Sequence, residues 1–80
     1  MPKLTLEQAV ERVQAYFDNR CMAKYKTRAI VEVKEAVENP HVGVFIVRCE
    51  ERCLAEFSKR RKELAVDSQT GEIKAIKEWE

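Results

Sequence analysis

The side chains best suited to chemistry are three cysteines and one histidine: Cys21, Cys49, Cys53 and His41. Thiolate and imidazole are ordinary zinc ligands, and three cysteines with a histidine would complete a tetrahedral structural site. The spacing does not favour one. Cys49 and Cys53 are separated by three residues instead of sharing a short Cys-x2-Cys loop, and Cys21 falls on the apolar stripe of a helical segment. The expectation is three buried or half-buried thiols, a turn histidine, no metal and no cofactor. The odd cysteine count argues against a disulfide framework, so no disulfide is expected.

Nucleophilic catalysis is equally poorly served. A cysteine needs a base to form its thiolate, and the one available, His41, stands in a turn beside Pro40. No serine sits in a Gly-x-Ser-x-Gly elbow, and no glycine-rich loop is present to cradle phosphate. Glu50 and Glu51 are neighbours in sequence, so on a strand or helix they point in different directions and do not form a carboxylate pair. The chain is not expected to be an enzyme.

Charge offers a third possibility. Lys59-Arg60-Arg61-Lys62 is a run of four cations close to Phe57, and Arg20, Lys24, Lys26 and Arg28 form a second basic cluster. Brought together in space they would make a phosphate-binding patch, with Tyr25 or Phe57 available for stacking on bases. The plainer alternative is a solvated loop, plus cations near a helix C-terminus where the helix dipole favours them. Net charge is only +1, so no global field draws in nucleic acid and any such partner must be read locally.

Positioning these groups falls to a single domain spanning residues 1–80. Its composition, 45% hydrophobic and 36% charged, is that of a folded chain. No apolar run approaches the ~20 residues that span a bilayer, so no membrane partner is expected. Met1-Pro2-Lys3 leads directly into a charged helical pattern without a signal peptide, and a reducing cytoplasm is the expected compartment.

The most apolar stretch, Val42 to Cys49, is β-branched and aromatic and reads as a central strand. Before it, Thr5-Leu6-Glu7-Gln8 fits a capping box. Leu6, Ala9, Val10, Val13, Tyr16, Phe17 and Cys21 recur at three- and four-residue steps, which predicts a helix from about Leu6 to Ala23. Thr27 to Val37 alternates as a strand, and Pro40 places a turn after it. Val31 and Val33 then share the helix-covered face with Phe45, Val47 and Cys49, so Val13, Phe17, Val31, Val33, Phe45 and Val47 are expected in one core. Residues 50–62 are ambiguous. A short amphipathic helix near 51–59 is preferred, with Cys53, Leu54 and Phe57 at helical spacing, and a hairpin strand is the runner-up. Glu63 to Asp67 is a strand, Ser68-Gln69-Thr70-Gly71 a tight turn, and Glu72 to Trp79 the last strand, with a bulge after the turn.

The run Leu64-Ala65-Val66-Asp67-Ser68-Gln69-Thr70-Gly71-Glu72-Ile73 resembles the Val-Asp-x-x-Thr-Gly-Glu-hydrophobic hairpin of PepSY-type domains. It is similar also to the end of small immunity-protein domains from bacterial toxin systems. Both begin with a helix carrying a Thr-x-Glu-x-Ala pattern, as Thr5 to Ala9 does here, and lay that helix on an antiparallel meander. The resemblance covers the two ends of the chain. It implies a binding or inhibitory module without catalytic residues.

The predicted fold is therefore α+β: one N-terminal helix packed across a four-stranded antiparallel sheet, with a short helical insertion before the third strand. The face opposite the helix should carry Ile30, Val44 and Ile46, a more apolar set than a solvated face requires. That stripe is the expected protein-binding site, with three possible covers: a second copy of the chain, another protein, or the insertion folded back through Leu54 and Phe57. The expected function is a non-enzymatic protein-binding module, inhibitor-like or self-associating. Nucleic-acid binding through residues 59–62 and 20–28 is the alternative.

Overall fold

The computed structural model describes residues 3–79. One helix, α1 (Leu6–Tyr25), is followed by four strands: β1 (Ala29–Asn39), β2 (Val44–Cys53), β3 (Arg60–Asp67) and β4 (Ile73–Glu78). The strands form one antiparallel sheet in the order β1-β2-β3-β4, a meander with α1 on one face. This is the α+β architecture expected. The helical insertion is absent: β2 runs on through Cys53, and residues 54–59 form a loop of turn and bend.

The predicted capping box starts α1. The Thr5 hydroxyl accepts from the Gln8 N–H at 3.1 Å, and the Gln8 side chain accepts from the Thr5 N–H at 2.9 Å. Ala9, Val13, Phe17 and Cys21, four residues apart, are its buried stripe. The helix ends at Lys26, which takes the left-handed conformation usually left to glycine (φ 59°) and donates its N–H to the Met22 carbonyl. Asp18 then accepts from the Ala29 N–H at 2.9 Å, fixing the start of β1 beneath the helix.

A bulge in β1 decides which side chains reach the core. Val31 lies opposite Glu51 and Val33 opposite Cys49, but the register then shifts, so that Ala36 lies opposite Val47. The extra residue, Lys34, turns to the open face, where its ammonium meets Glu32 at 2.9 Å. Without it, Glu35 and Val37 would face the helix. This is why the alternation in β1 does not separate cleanly in the sequence. Of the expected core, Val13, Phe17, Phe45 and Val47 are buried, and Val31 and Val33, on the edge strand, are half-buried.

The β3–β4 turn closes the other end of the core. Asp67 accepts from the N–H groups of Gln69 and Thr70, and Gly71 adopts φ 79°. A side chain at Gly71 would meet the Arg12 guanidinium at 2.8 Å and Leu4 at 3.1 Å. The turn thus docks against the helix start, and Leu4 donates its N–H to the Ser68 carbonyl at 2.7 Å. The expected bulge is present, as a register shift between Ala65 and Val66 opposite β4.

Candidate functional site

The face of the sheet away from α1 is open along its whole length. Its composition follows from the register. At the end near the β1–β2 turn, Ile46 lies between Val37 and Ala65, and Val44 between Asn39 and Asp67. Ile30 lies opposite Arg52, eight residues further along β2, roughly 25 Å away at the rise of a strand. The structure therefore brings Val44 and Ile46 together and leaves Ile30 apart. Val37, 47% exposed, takes the place expected of Ile30. Sequence reasoning missed it because the bulge at Lys34 reverses the facing of everything after it.

Between the two apolar ends lies a lattice of ion pairs. Glu50 is approached by Arg61 at 3.3 Å, Lys34 at 3.7 Å and Lys59 at 3.9 Å. Glu63 holds Arg48 at 2.8 Å and Lys77 at 3.1 Å. The hydrogen bond from Arg48 holds the Glu63 carboxyl below its ordinary range, and the bond from Lys34 does the same for Glu32. Trp79 lies at the β4 end of this lattice, with the Arg61 and Arg48 guanidinium groups 5.2 and 5.8 Å from its ring. Its indole N–H donates to the carbonyls of Lys62 and Cys49, which pins the ring over the sheet. No sequence motif marked this cluster. Its signal was only an aromatic residue ending a strand that alternates with cations.

The basic run 59–62 is mostly strand, not solvated loop, and each of its cations has a carboxylate. Lys59 and Arg61 turn to the open face and meet Glu32 and Glu50. Arg60 and Lys62 turn to the helix side. Lys62 pairs with Glu78 at 3.2 Å. Arg60 binds Glu51 at 2.6 Å and Glu56 at 2.8 Å. Glu51 is 1% exposed and Arg60 is what makes its burial tolerable. Glu56 also accepts from the Cys53 N–H at 3.0 Å and from the Tyr25 hydroxyl at 3.2 Å. These contacts hold its carboxyl down to about 2, with Arg60 the largest cause.

The two basic clusters meet in part. Arg20 and Lys24 from α1 and Arg60 and Lys62 from β3 line one hollow of about 130 Å³, with Glu51 and Glu56 between them. Lys26 and Arg28 lie outside it. A Cys21–Cys53 disulfide, with Cα atoms 5.4 Å apart, also lines it. The expectation of free thiols is corrected here. Cys21 is the last buried residue of the helix stripe and Cys53 the last of β2, so the two meet where both elements end. Ending β2 at Cys49 and coiling Cys53 into a helix hid the pair. Cys49 remains free and buried. Burial and the nearby Glu51 push its thiol up to about 11.

The disulfide also removes two of the four ligands that a Cys3His metal site required, and His41 lies in the β1–β2 turn, at the other end of β2 from Cys53. The third expected cover for the open face is absent too: Phe57, at the tip of the 54–59 loop, is fully exposed and Leu54 is 55% exposed. No helix among the described residues is long and apolar enough to cross a membrane. Compared with known proteins, the chain matches no family model, no curated protein and no solved structure.

Proposed function

We propose that the chain is a small non-enzymatic protein-binding module that engages its partner with the open face of its sheet. The observation that carries this reading is the make-up of that face. Val37, Val44 and Ile46 form an apolar end, an arginine-flanked Trp79 lies beyond it, and no other element of the described chain covers them. Aromatic and arginine side chains are enriched where binding energy concentrates. The ion pairs hold the long side chains of the face in place before any partner arrives, which lowers the ordering cost of docking. An inhibitor- or immunity-like role is the form that the resemblance to those domains implies. Self-association is the form in which a second copy supplies the covering surface.

The disulfide moves the proposed compartment. A cytoplasmic location was expected from reduced thiols and the lack of a signal-peptide pattern, whereas a cystine persists where the surroundings are oxidising.

Val44→Lys with Ile46→Glu tests the reading. The double variant should stay folded by circular dichroism. In sedimentation it should lose any dimer the native chain forms; in affinity capture it should lose the protein that the native chain retains. Unfolding of this variant would place both side chains in the intramolecular core and remove the argument for a docking face.

One observation favours a second reading. Arg20 and Lys24 meet Arg60 and Lys62 at a single hollow, which is the convergence a nucleic-acid site needs. The carboxylates paired with residues 59–62 oppose it. A salt titration separates the two readings, since counterion release makes nucleic-acid affinity fall steeply with salt and apolar docking does not.

A further inference from the structure

The cystine stands at a boundary between core and solvent. Cys21 and Cys53 are 1% and 4% exposed, yet both line the hollow at the C-terminal end of α1. One water needs roughly 10–15 Å³ of such space, so a hollow of about 130 Å³ has room for a sulfur and the short chain behind it. Four cations and two carboxylates form its wall. Glu78, paired with Lys62, lowers the positive excess to a net single charge. Arg60 is already engaged by Glu51 and Glu56, but Arg20 and Lys24 make no ion pair among the described residues. The Lys24 ammonium lies 5.1 Å from the centre of the Tyr25 ring, a contact that leaves its charge uncompensated, so both cations can meet an arriving anion.

Cations beside a cystine act twice on thiol–disulfide exchange. They attract the attacking thiolate, and they stabilise the negative charge that develops on the leaving sulfur. We propose that Cys21–Cys53 is an exchange site of the native fold, reached through this hollow by small anionic thiols. The inference is independent of the docking face, which lies on the other side of the sheet.

The chemistry balances with the thiol as reductant. The thiolate's electron pair forms a bond to one protein sulfur while the Cys21–Cys53 bond breaks. The other sulfur leaves with that bond's electrons and takes a proton from water. A second thiolate attacks the mixed disulfide, so two thiols are oxidised to one disulfide and the cystine is reduced to two thiols. Cys49 does not compete as an internal resolving thiol, because it is fully buried and its thiol stays protonated at neutral pH.

The test uses the oxidised full chain and three small thiols: anionic mercaptopropionate, neutral mercaptoethanol and cationic cysteamine. Each rate of reduction is divided by the same thiol's rate on hydroxyethyl disulfide, which cancels intrinsic nucleophilicity. The rate should rise with thiol concentration, between first and second order, because thiol enters both steps and the freed protein thiol can re-close the cystine. The normalised rate should be about two- to threefold higher for the anion than for the neutral thiol, and lowest for the cation, as a net single positive charge several ångströms away in a water-like dielectric implies. Half-molar salt, where the Debye length falls to roughly 4 Å, should erase the preference. Arg20→Gln with Lys24→Gln should abolish or reverse it while leaving the urea midpoint unchanged, since both side chains are exposed. A rate that is independent of thiol concentration and equal to the unfolding rate would overturn the proposal. So would equal normalised rates for all three thiols, or a preference that survives the double substitution.

Discussion

At the N-terminal end of α1 the covered face of the sheet is closed by Phe45, Val47, Leu64 and Val66, none more than 2% exposed, together with Ala9 and Val13 from the helix. At the C-terminal end the same face is closed by Glu51, Arg60 and the Cys21–Cys53 cystine. The two ends both bury their inward side chains, Glu51 as thoroughly as the valines, although a hollow reaches the C-terminal end and the Arg60 side chain there is 37% exposed. They differ in what makes the burial favourable. Apolar burial is non-directional and depends on area. A buried carboxylate depends on one partner at one distance, and a cystine on the chain entropy it removes from the unfolded state. A chain of 80 residues has little core to distribute. Here the core occupies one end, and pairing with a covalent link holds the other.

Substitutions should separate the two mechanisms. The largest loss is expected at the apolar end, where Phe45→Ala should cost about 3–5 kcal/mol by deleting a buried ring and leaving a cavity. Urea midpoints measure it directly, and a midpoint that barely moves would mean that the apolar end is not the main source of stability. At the other end, replacing Cys21 and Cys53 together with alanine should cost about 3–4 kcal/mol, from a bridge closing a loop of 32 residues. Reducing the native protein should reproduce that loss. A reductant that leaves the urea midpoint unchanged would show that the helix end is held without the bridge.

The same division governs what the sequence discloses. The helix stripe, the capping box, the Gly71 turn and the facing of Phe45, Val47 and Cys49 are legible because each repeats a period or fits a known local geometry. Beyond Cys49 the apolar period stops, since Glu51 occupies an inward position, and the segment reads as helix. The missing signal lay in a comparison of two distant stretches. Read forwards along β2 and backwards along β3, Arg48 meets Glu63, Glu50 meets Arg61 and Glu51 meets Arg60. Opposite charges directly across a ladder stabilise it and set its register. The cystine was hidden by the same error, because Cys53 reaches Cys21 only if β2 continues. The Lys34 bulge had no signal beyond a blurred alternation. The open face was legible as an apolar surplus, but the bulge determines which residues compose it.

A smaller effect is expected from the ion pair. Arg60→Met removes the counterion of Glu51 and should cost about 3 kcal/mol, because a buried charge is left without its partner. Glu51→Gln with Arg60→Met should recover much of that loss, as an amide is far cheaper to bury than a carboxylate. The comparison between the ends is sharpened if the double variant is the more stable of the two. It breaks if both variants are equally destabilised, for then the pair would act through packing and not through charge.

The smallest effect is one of acid sensitivity. Glu56 accepts from the Arg60 guanidinium and the Cys53 N–H, and these contacts lower its carboxyl from 4.5 to about 2. Between those values the unfolded chain holds the proton and the folded chain does not. Protons therefore favour unfolding there: the contribution of Glu56 is complete above the unfolded value and is lost as the pH falls towards the folded one. Glu32, Glu63 and Asp67 are lowered in the same direction, so acid destabilises the native chain through several groups, and a variant is needed to isolate one. Urea midpoints followed from neutral pH to about pH 2 should converge for the native chain and Glu56→Gln, because acid removes from the first what substitution has already removed from the second. Phe45→Ala should instead run parallel to the native curve, its loss being independent of protonation. Convergence in the first comparison and a constant offset in the second would place the acid-sensitive contribution of Glu56 at the helix C-terminus, apart from the apolar end. Parallel curves for Glu56→Gln would show that its carboxylate is not what links that end to pH.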